Sequence, residues 1–337
     1  MKAPVVVKVG SSLVADRRGR ARRGALRAVA AELAALDSPV CIVSSGAIAL
    51  GLGRMGSDRR PRALPMLQAA SALGQAALQR AWEDALGASG LRAGQVLLTA
   101  AEIADRRAYV NVRNALGALF SLGVVPVVNE NDATATDEIS FGDNDALAAQ
   151  VAVLVRARLL VLLTSVEGVL TELGGALIVD GAAARAAVFG PRTAAGSGGM
   201  ESKVRAAELA AAAGISTVIG AADALGPILR GEARGTRFAA AGTGEPAFKL
   251  WLRYGKHIGG RVHVDAGARR AVAAEGRSLL AVGVTGWDGR FRAGDGVELV
   301  GPDGAPFARG IASVDATELA GRPANVEAVH RDRLVLL

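Results

Sequence analysis

From Val5 to about residue 235 the chain alternates short apolar runs with longer Ala/Leu-rich stretches of helical periodicity. Val5–Val9, Val40–Val43, Gln95–Leu98, Val124–Val128, Leu159–Leu163 and Ser216–Ile219 are rich in Val, Ile and Leu, which predicts buried strands. Gly24–Leu36, Ala69–Leu86, Tyr109–Leu122, Asp145–Val155 and Ser202–Ala213 predict helices between them. Strands that are apolar on both faces and separated by helices imply an α/β fold with a mainly parallel sheet, covered on both sides. Ligands bind such sheets at the carboxyl ends of the strands, so chemistry is expected in the loops that follow them.

The glycine-rich segment Gly231–Pro246 marks a boundary. Beyond it the runs shorten (Leu279–Val284, Gly296–Leu299, Arg333–Leu337) and are separated by Gly/Asp turns, the pattern of a small β-barrel or sandwich. Two domains are therefore expected, 1–235 and 246–337, in keeping with 337 residues. No uncharged stretch reaches the roughly 20 residues of a membrane span. The N-terminus runs straight into a strand without a signal-peptide pattern, and a single cysteine, Cys41, excludes an internal disulfide. A cytoplasmic protein with no membrane partner is expected.

The net charge of +7 invites a nucleic-acid reading, but all except five of the 39 basic residues are arginine, a bias of coding composition more than of a basic face. The clusters Arg17-Arg18-x-Arg20-x-Arg22-Arg23 and Arg59-Arg60-x-Arg62 read as solvated loop charge. Residues 246–337 hold 13 basic against 10 acidic side chains and few aromatics, so RNA binding is disfavoured.

All three histidines (257, 263, 330) lie in the C-terminal part, and Cys41 sits within an apolar strand. The large domain therefore lacks the parts for Ser/His/Asp or Cys/His catalysis. Gly51-Leu52-Gly53-Arg54-Met55-Gly56 fits G-x-G-x-x-G, yet it does not directly follow a strand and no acidic residue lies about 20 positions on, so it is not a dinucleotide site. Three other glycine turns suit phosphate better. Lys8-Val9-Gly10-Ser11-Ser12 ends the first strand, Ser44-Ser45-Gly46-Ala47 ends the second, and Gly196-Ser197-Gly198-Gly199-Met200-Glu201-Ser202-Lys203 opens a helix. In so arginine-rich a chain, Lys8 and Lys203 beside such turns suggest point charges for a moving phosphoryl group. Two acid/amide clusters, Asn129-Glu130-Asn131-Asp132 and Gly142-Asp143-Asn144-Asp145, suit an ammonium group, Mg²⁺ or both, although Asp143 or Asn144 could simply cap a helix.

These motifs, with Gln68–Gln75, occur in an order that resembles the amino-acid kinase family, and within it the bacterial enzymes that phosphorylate glutamate. The segment from Trp251 through Gly260-Arg261, Ser278-Leu279-Leu280, Gly294-Asp295 and Ala308-Arg309-Gly310 resembles a PUA domain. The resemblance spans nearly the whole chain. It implies a three-layer α/β/α sandwich followed by a small β-barrel, and transfer of the ATP γ-phosphoryl group to the side-chain carboxylate of L-glutamate, the first step of proline synthesis. It also implies catalytic roles for Lys8, Lys203 and Asp143, with Asp143 organising the lysines and Mg²⁺. Ser45, Gly46, Ala47, Asp132 and Asn144 match acceptor-binding positions, Asp132 taking the α-ammonium. Lys8, Gly10, Thr164, Ser165, Ser197, Gly198, Gly199, Met200 and Lys203 match ATP-binding positions. Family membership further implies a homo-oligomer (dimer or tetramer), feedback inhibition by L-proline, and a reductase of γ-glutamyl phosphate as pathway partner. Alternatives are another acceptor on the same fold, such as N-acetylglutamate or aspartate, or an RNA-binding role for the PUA domain. The chain departs from the family at Ser165, where Asp is usual, at Leu170, where Tyr is usual, at Ser197 and Glu201, and in the shortened loop Thr171–Gly175.

Overall fold

Val5–Val9 forms the central strand of the large unit, and its five residues are all buried. In the computed structural model, which describes residues 2–337 except 58, 100–101, 104, 135–142, 171–176, 179, 186–198, 243, 245, 257 and 322, the chain forms two compact units, Met1–Gly244 and Glu245–Leu337. In the first unit β1 (Val5–Val9) is followed by α1 (Ser11–Val14), α2 (Arg23–Ala34), β2 (Val40–Ser44), α3 (Ala47–Arg54), α4 (Leu64–Gly87) and β3 (Arg92–Leu98). Then come α5 (Arg106–Ser121), β4 (Val124–Glu130), α6 (Asp143–Leu154), β5 (Leu159–Thr164), α7 (Met200–Ala212), β6 (Ser216–Ala221) and β7 (Thr236–Phe238).

The seven strands stand in the order β3-β4-β2-β1-β5-β6-β7. All pairings are parallel except β6 with β7. The chain leaves β1 toward β2 on one side and later returns to β5 on the other, so the sheet's topological switch point lies at the carboxyl end of β1. Period-2 alternation splits β1 between two layers. Val5, Val7 and Val9 join a core with Leu26 and Val29 of α2 and Leu78 and Trp82 of α4, while Lys8 belongs to the opposite face, where α6 packs on β1 and α7 packs on α6.

Helix α3 is a structural addition to the elements read from sequence. It contains Gly51 and Gly53 of the rejected G-x-G-x-x-G pattern, and those glycines serve packing. A Cβ on Gly51 would lie 1.7 Å from the Ala70 carbonyl oxygen, and one on Gly74 of α4 would lie 1.8 Å from that of Ala47. Backbone therefore meets backbone, and α4 is fixed against α3 with little freedom to slide.

The second unit holds a six-stranded sheet of β8 (Ile258–Val264), β9 (Leu279–Leu280), β10 (Val284–Gly289), β11 (Gly296–Val300), β12 (Pro306–Ala312) and β13 (Glu327–Leu336), in the order β9-β13-β12-β11-β8-β10. It is antiparallel except for β8 against β11, and it closes over its own core, which includes Val262, Val297, Leu299 and Val329. Among the described residues no helix is long and apolar enough to cross a membrane.

Candidate active site

Lys8, Asp145 and Lys203 meet at the carboxyl edge of the sheet, one from each of β1, α6 and α7. The Lys8 ammonium lies 2.6 Å from Asp145 Oδ1, and the Lys203 ammonium donates to Oδ2 at 2.9 Å. Ser202 Oγ donates to the same Oδ2 at 3.1 Å. Asp145 is wholly buried, and both lysines are nearly so. Burial alone would raise the Asp145 carboxyl, but the charges and hydrogen bonds of the two lysines outweigh it and hold the group below the usual carboxylate range. Burial lowers the Lys8 ammonium to about 8, Asp145 opposing the fall and Lys203 adding to it. Two cations against one anion leave a buried site with a net positive charge, which is a receptor for phosphate.

Sequence reasoning gave the organising role to Asp143; the structure puts Asp145 between the lysines. Asp143 opens the same helix, and its side chain lies outside the described residues. In the sequence Asp143-Asn144-Asp145 a capping acid and a buried ion-pair acid look alike. The residues that follow do not separate them, because Ala146, Leu147, Ala148 and Ala149 stand at helical spacing after both acids.

Gly10 follows β1, and a Cβ there would stand 3.7 Å from Lys8 Nζ, so this turn borders the ammonium. Gly199, in extended conformation, caps α7, and Met200 starts it, bringing backbone amides beside Lys203 in the first turn. Thr164 ends β5 half-buried, and Ser165 is exposed just beyond it. Ser197, Gly198 and the short loop 171–175 lie outside the described residues.

A second group of predicted residues lies at the same edge on the layer of α4. Ser45 is buried after β2, its amide donating to the Val9 carbonyl at 2.9 Å. Gly46 has φ 109°, and a Cβ there would come within 2.7 Å of Val14, so glycine is required on both counts. Ala47 begins α3 and is buried. Asp132, buried after β4, accepts a hydrogen bond from Ser71 Oγ at 2.7 Å. Burial pushes the Asp132 carboxyl up, and the Ser71 hydrogen bond and the nearby Arg60 guanidinium pull it back. Asn144 presents a buried Oδ1 with no hydrogen-bond partner among the described residues.

Sequence reasoning gave no role to Ser71, Gln75 or Arg60, and named Asn129 only as part of its acid/amide cluster. Asn129 is buried at the end of β4, its Nδ2 donating to Gln75 Oε1 at 2.8 Å and its Oδ1 left without a partner among the described residues. Ser71 shares the buried face of α4 with Leu67, Gly74 and Leu78, and Gln75, one turn on, is half-buried beside it, so a polar residue inside an apolar stripe was the available signal. Arg60 belongs to a cluster read as solvent charge, yet it faces Asp132 closely enough to feel its charge.

Comparison with known proteins identifies the family. The amino acid kinase family model matches residues 3–221, and the PUA domain model matches 260–325. The chain is 45% identical over 361 residues to glutamate 5-kinase of Frankia casuarinae, covering 99% of this chain and 96% of that one. It is 42% identical to the glutamate 5-kinase of Myxococcus xanthus over the same shares. A solved structure, carbamate kinase from Giardia lamblia bound to AMP-PNP, shares the fold with a TM-score of 0.53 at 14% identity, over 70% of this chain and 98% of that one. The chain belongs to the glutamate 5-kinase branch of the amino acid kinase family.

Proposed function

We propose that this chain transfers the γ-phosphoryl group of ATP to the side-chain carboxylate of L-glutamate, forming γ-glutamyl phosphate for proline synthesis. The observation that carries the proposal is the buried Lys8–Asp145–Lys203 cluster at the switch point, with ammonium contacts of 2.6 and 2.9 Å on one carboxylate. A carboxylate acceptor is ionised at pH 7, so the reaction needs no general base, which suits a site without histidine. An acceptor oxygen attacks the γ-phosphorus, the bond to the β,γ-bridging oxygen breaks, and ADP leaves with that electron pair. No proton moves. The work left to the protein is to bring two anions into line and neutralise the charge that spreads over the phosphoryl oxygens. Lys8 and Lys203 supply that charge, and Asp145 fixes their separation beforehand, so little reorganisation accompanies the reaction.

The amides after Gly10 and at Gly199 and Met200 would cradle the phosphates, with Thr164 and Ser165 toward the nucleoside. Among the described residues no three His, Cys, Asp or Glu side chains gather into a metal cage, and Asp145 is committed to two lysines. Mg²⁺ would arrive with ATP, and at this buried, positively charged site it would add to the neutralisation of phosphate charge. Ser45, the Gly46-Ala47 turn, Asn144 and Asp132 would hold the acceptor, Asp132 receiving a free α-ammonium. That carboxylate favours glutamate over N-acetylglutamate, whose nitrogen is uncharged.

A cytoplasmic homo-oligomer inhibited by L-proline and feeding a γ-glutamyl phosphate reductase completes the proposal. Hydroxylamine trapping of acyl phosphate with MgATP and L-glutamate, aspartate or N-acetylglutamate tests it. Hydroxamate from glutamate above the other acceptors is expected; a preference for another acceptor would reassign the Asp132 pocket.

A further inference from the structure

Helix α4 turns two polar side chains, the buried Ser71 and the half-buried Gln75, toward the end of β4 and the residues after it. Ser71 is 4% exposed and spans 61 residues of sequence to donate to Asp132 Oδ2 at 2.7 Å. A serine within a helix ordinarily returns its hydroxyl to the carbonyl four residues back; this one gives it to a carboxylate on another element. Gln75, the next turn along, turns the Asn129 amide by accepting from Nδ2, which leaves the buried Asn129 Oδ1 for another donor. The helix that holds both residues is itself fixed by the Gly51–Ala70 and Gly74–Ala47 backbone approaches. The hydroxyl therefore has a rigid base, as a positioning group requires.

We propose that Ser71 is a positioning residue for acceptor recognition, holding Asp132 so that its other oxygen receives the acceptor's α-ammonium. This rests on the reading of Asp132 as the ammonium's partner and deepens it. Burial works against the ionised form of Asp132, and a protonated acid would lose its charge attraction for an ammonium group. Two groups act against burial: the Ser71 hydroxyl from α4 and the Arg60 guanidinium from the segment before it. Arg60 supplies charge from an exposed position, whereas Ser71 supplies a short, directed bond from inside the core. Committing Oδ2 to Ser71 leaves Oδ1 to face the acceptor, so the hydroxyl sets both the charge and the direction of the carboxylate.

The test compares wild type, Ser71→Ala, Ser71→Thr and Asp132→Asn in steady-state kinetics with L-glutamate from pH 5 to 9. Loss of a hydrogen bond to a charged group predicts a KM for glutamate raised about tenfold in Ser71→Ala, with a smaller change in kcat. The acid limb of kcat/KM moves to higher pH, because the bond that favoured the ionised carboxyl is gone, and Ser71→Thr restores both quantities. A mere packing defect would leave the limb in place. Should Ser71→Ala fail to fold, Ser71→Cys, of similar size but a weaker donor, gives a smaller shift in the same direction. Wild-type KM and an unmoved limb in Ser71→Ala overturn the proposal. If Asp132→Asn raises KM and removes the limb while Ser71→Ala does neither, Ser71 alone is refuted. If Asp132→Asn keeps wild-type KM and limb, the ammonium reading of Asp132 fails with it.

Discussion

Substituting Asp145→Asn separates electrostatic preorganisation from simple charge. At an effective dielectric near 20, each ammonium–carboxylate contact of about 3 Å is worth about 5–6 kcal/mol of Coulomb energy, and one carboxylate serves two such contacts. Desolvation offsets much of this, and removing one partner of a buried pair costs about 3–5 kcal/mol net. The amide leaves two buried ammonium groups facing each other. Lys8, already lowered to about 8 with Asp145 opposing the fall, then gives up its proton more readily. Since kcat/KM for MgATP reports the enzyme before the nucleotide binds, the wild type should lose it as pH rises through about 8. In Asp145→Asn that alkaline limb should move to lower pH, and at pH 7.5 kcat/KM should fall by about 10²–10³, the scale of losing one preorganised donor. The assay is initial rate against MgATP at fixed saturating glutamate across pH 6–9.5, with urea unfolding of the same samples. A folded Asp145→Asn enzyme with an unmoved limb and a loss below about threefold would refute the claim that this carboxylate sets the lysines.

Lys8→Arg replaces a compact ammonium, packed 2.6 Å from Asp145, with a larger planar fork; kcat should drop at least about a hundredfold, and retained activity would show that charge alone suffices. Gly46→Ala places a side chain at φ 109° against Val14 and should destabilise by about 1–3 kcal/mol in urea unfolding while raising KM for glutamate. Trp82→Phe removes the indole donor to Ser44 Oγ at 2.9 Å and should cost about 1–3 kcal/mol of stability, measured the same way. Lys8 also links stability to pH: between about 8 and 10.5 the unfolded chain holds a proton that the native state has released, so the empty enzyme should gain stability there. Lys8→Met should flatten that rise in pH-dependent urea unfolding.

Burial and hydrogen bonding explain what the sequence disclosed and what it hid. Strands β1, β2, β4, β5 and β6 are apolar on both faces, and such runs announce themselves within two residues of their ends. Strand β3 begins three residues before the run that signalled it, at Arg92, because an edge strand with exposed positions has no continuous apolar pattern. Helix α3 escaped because Gly51 and Gly53 lower its propensity, and tertiary contact with α4 overrides that preference. Lys8 and Lys203 were legible because lysine is scarce here and both stand beside glycine turns. Asp145 was not, since its meaning comes from α7, more than fifty residues away. The same holds for Ser71 and Arg60: a serine in a helix and an arginine in a charged loop are ordinary until the fold brings Asp132 to them.

If the buried lysine pair carries phosphoryl transfer to a glutamate carboxylate, the product must depend on Lys203. Hydroxamate formation with MgATP, L-glutamate and hydroxylamine, compared between wild type and Lys203→Ala, measures that dependence. Hydroxamate from wild type, reduced by about 10²–10³ in a folded Lys203→Ala enzyme, is the predicted result. Equal hydroxamate from both, or none from wild type with glutamate, would contradict it.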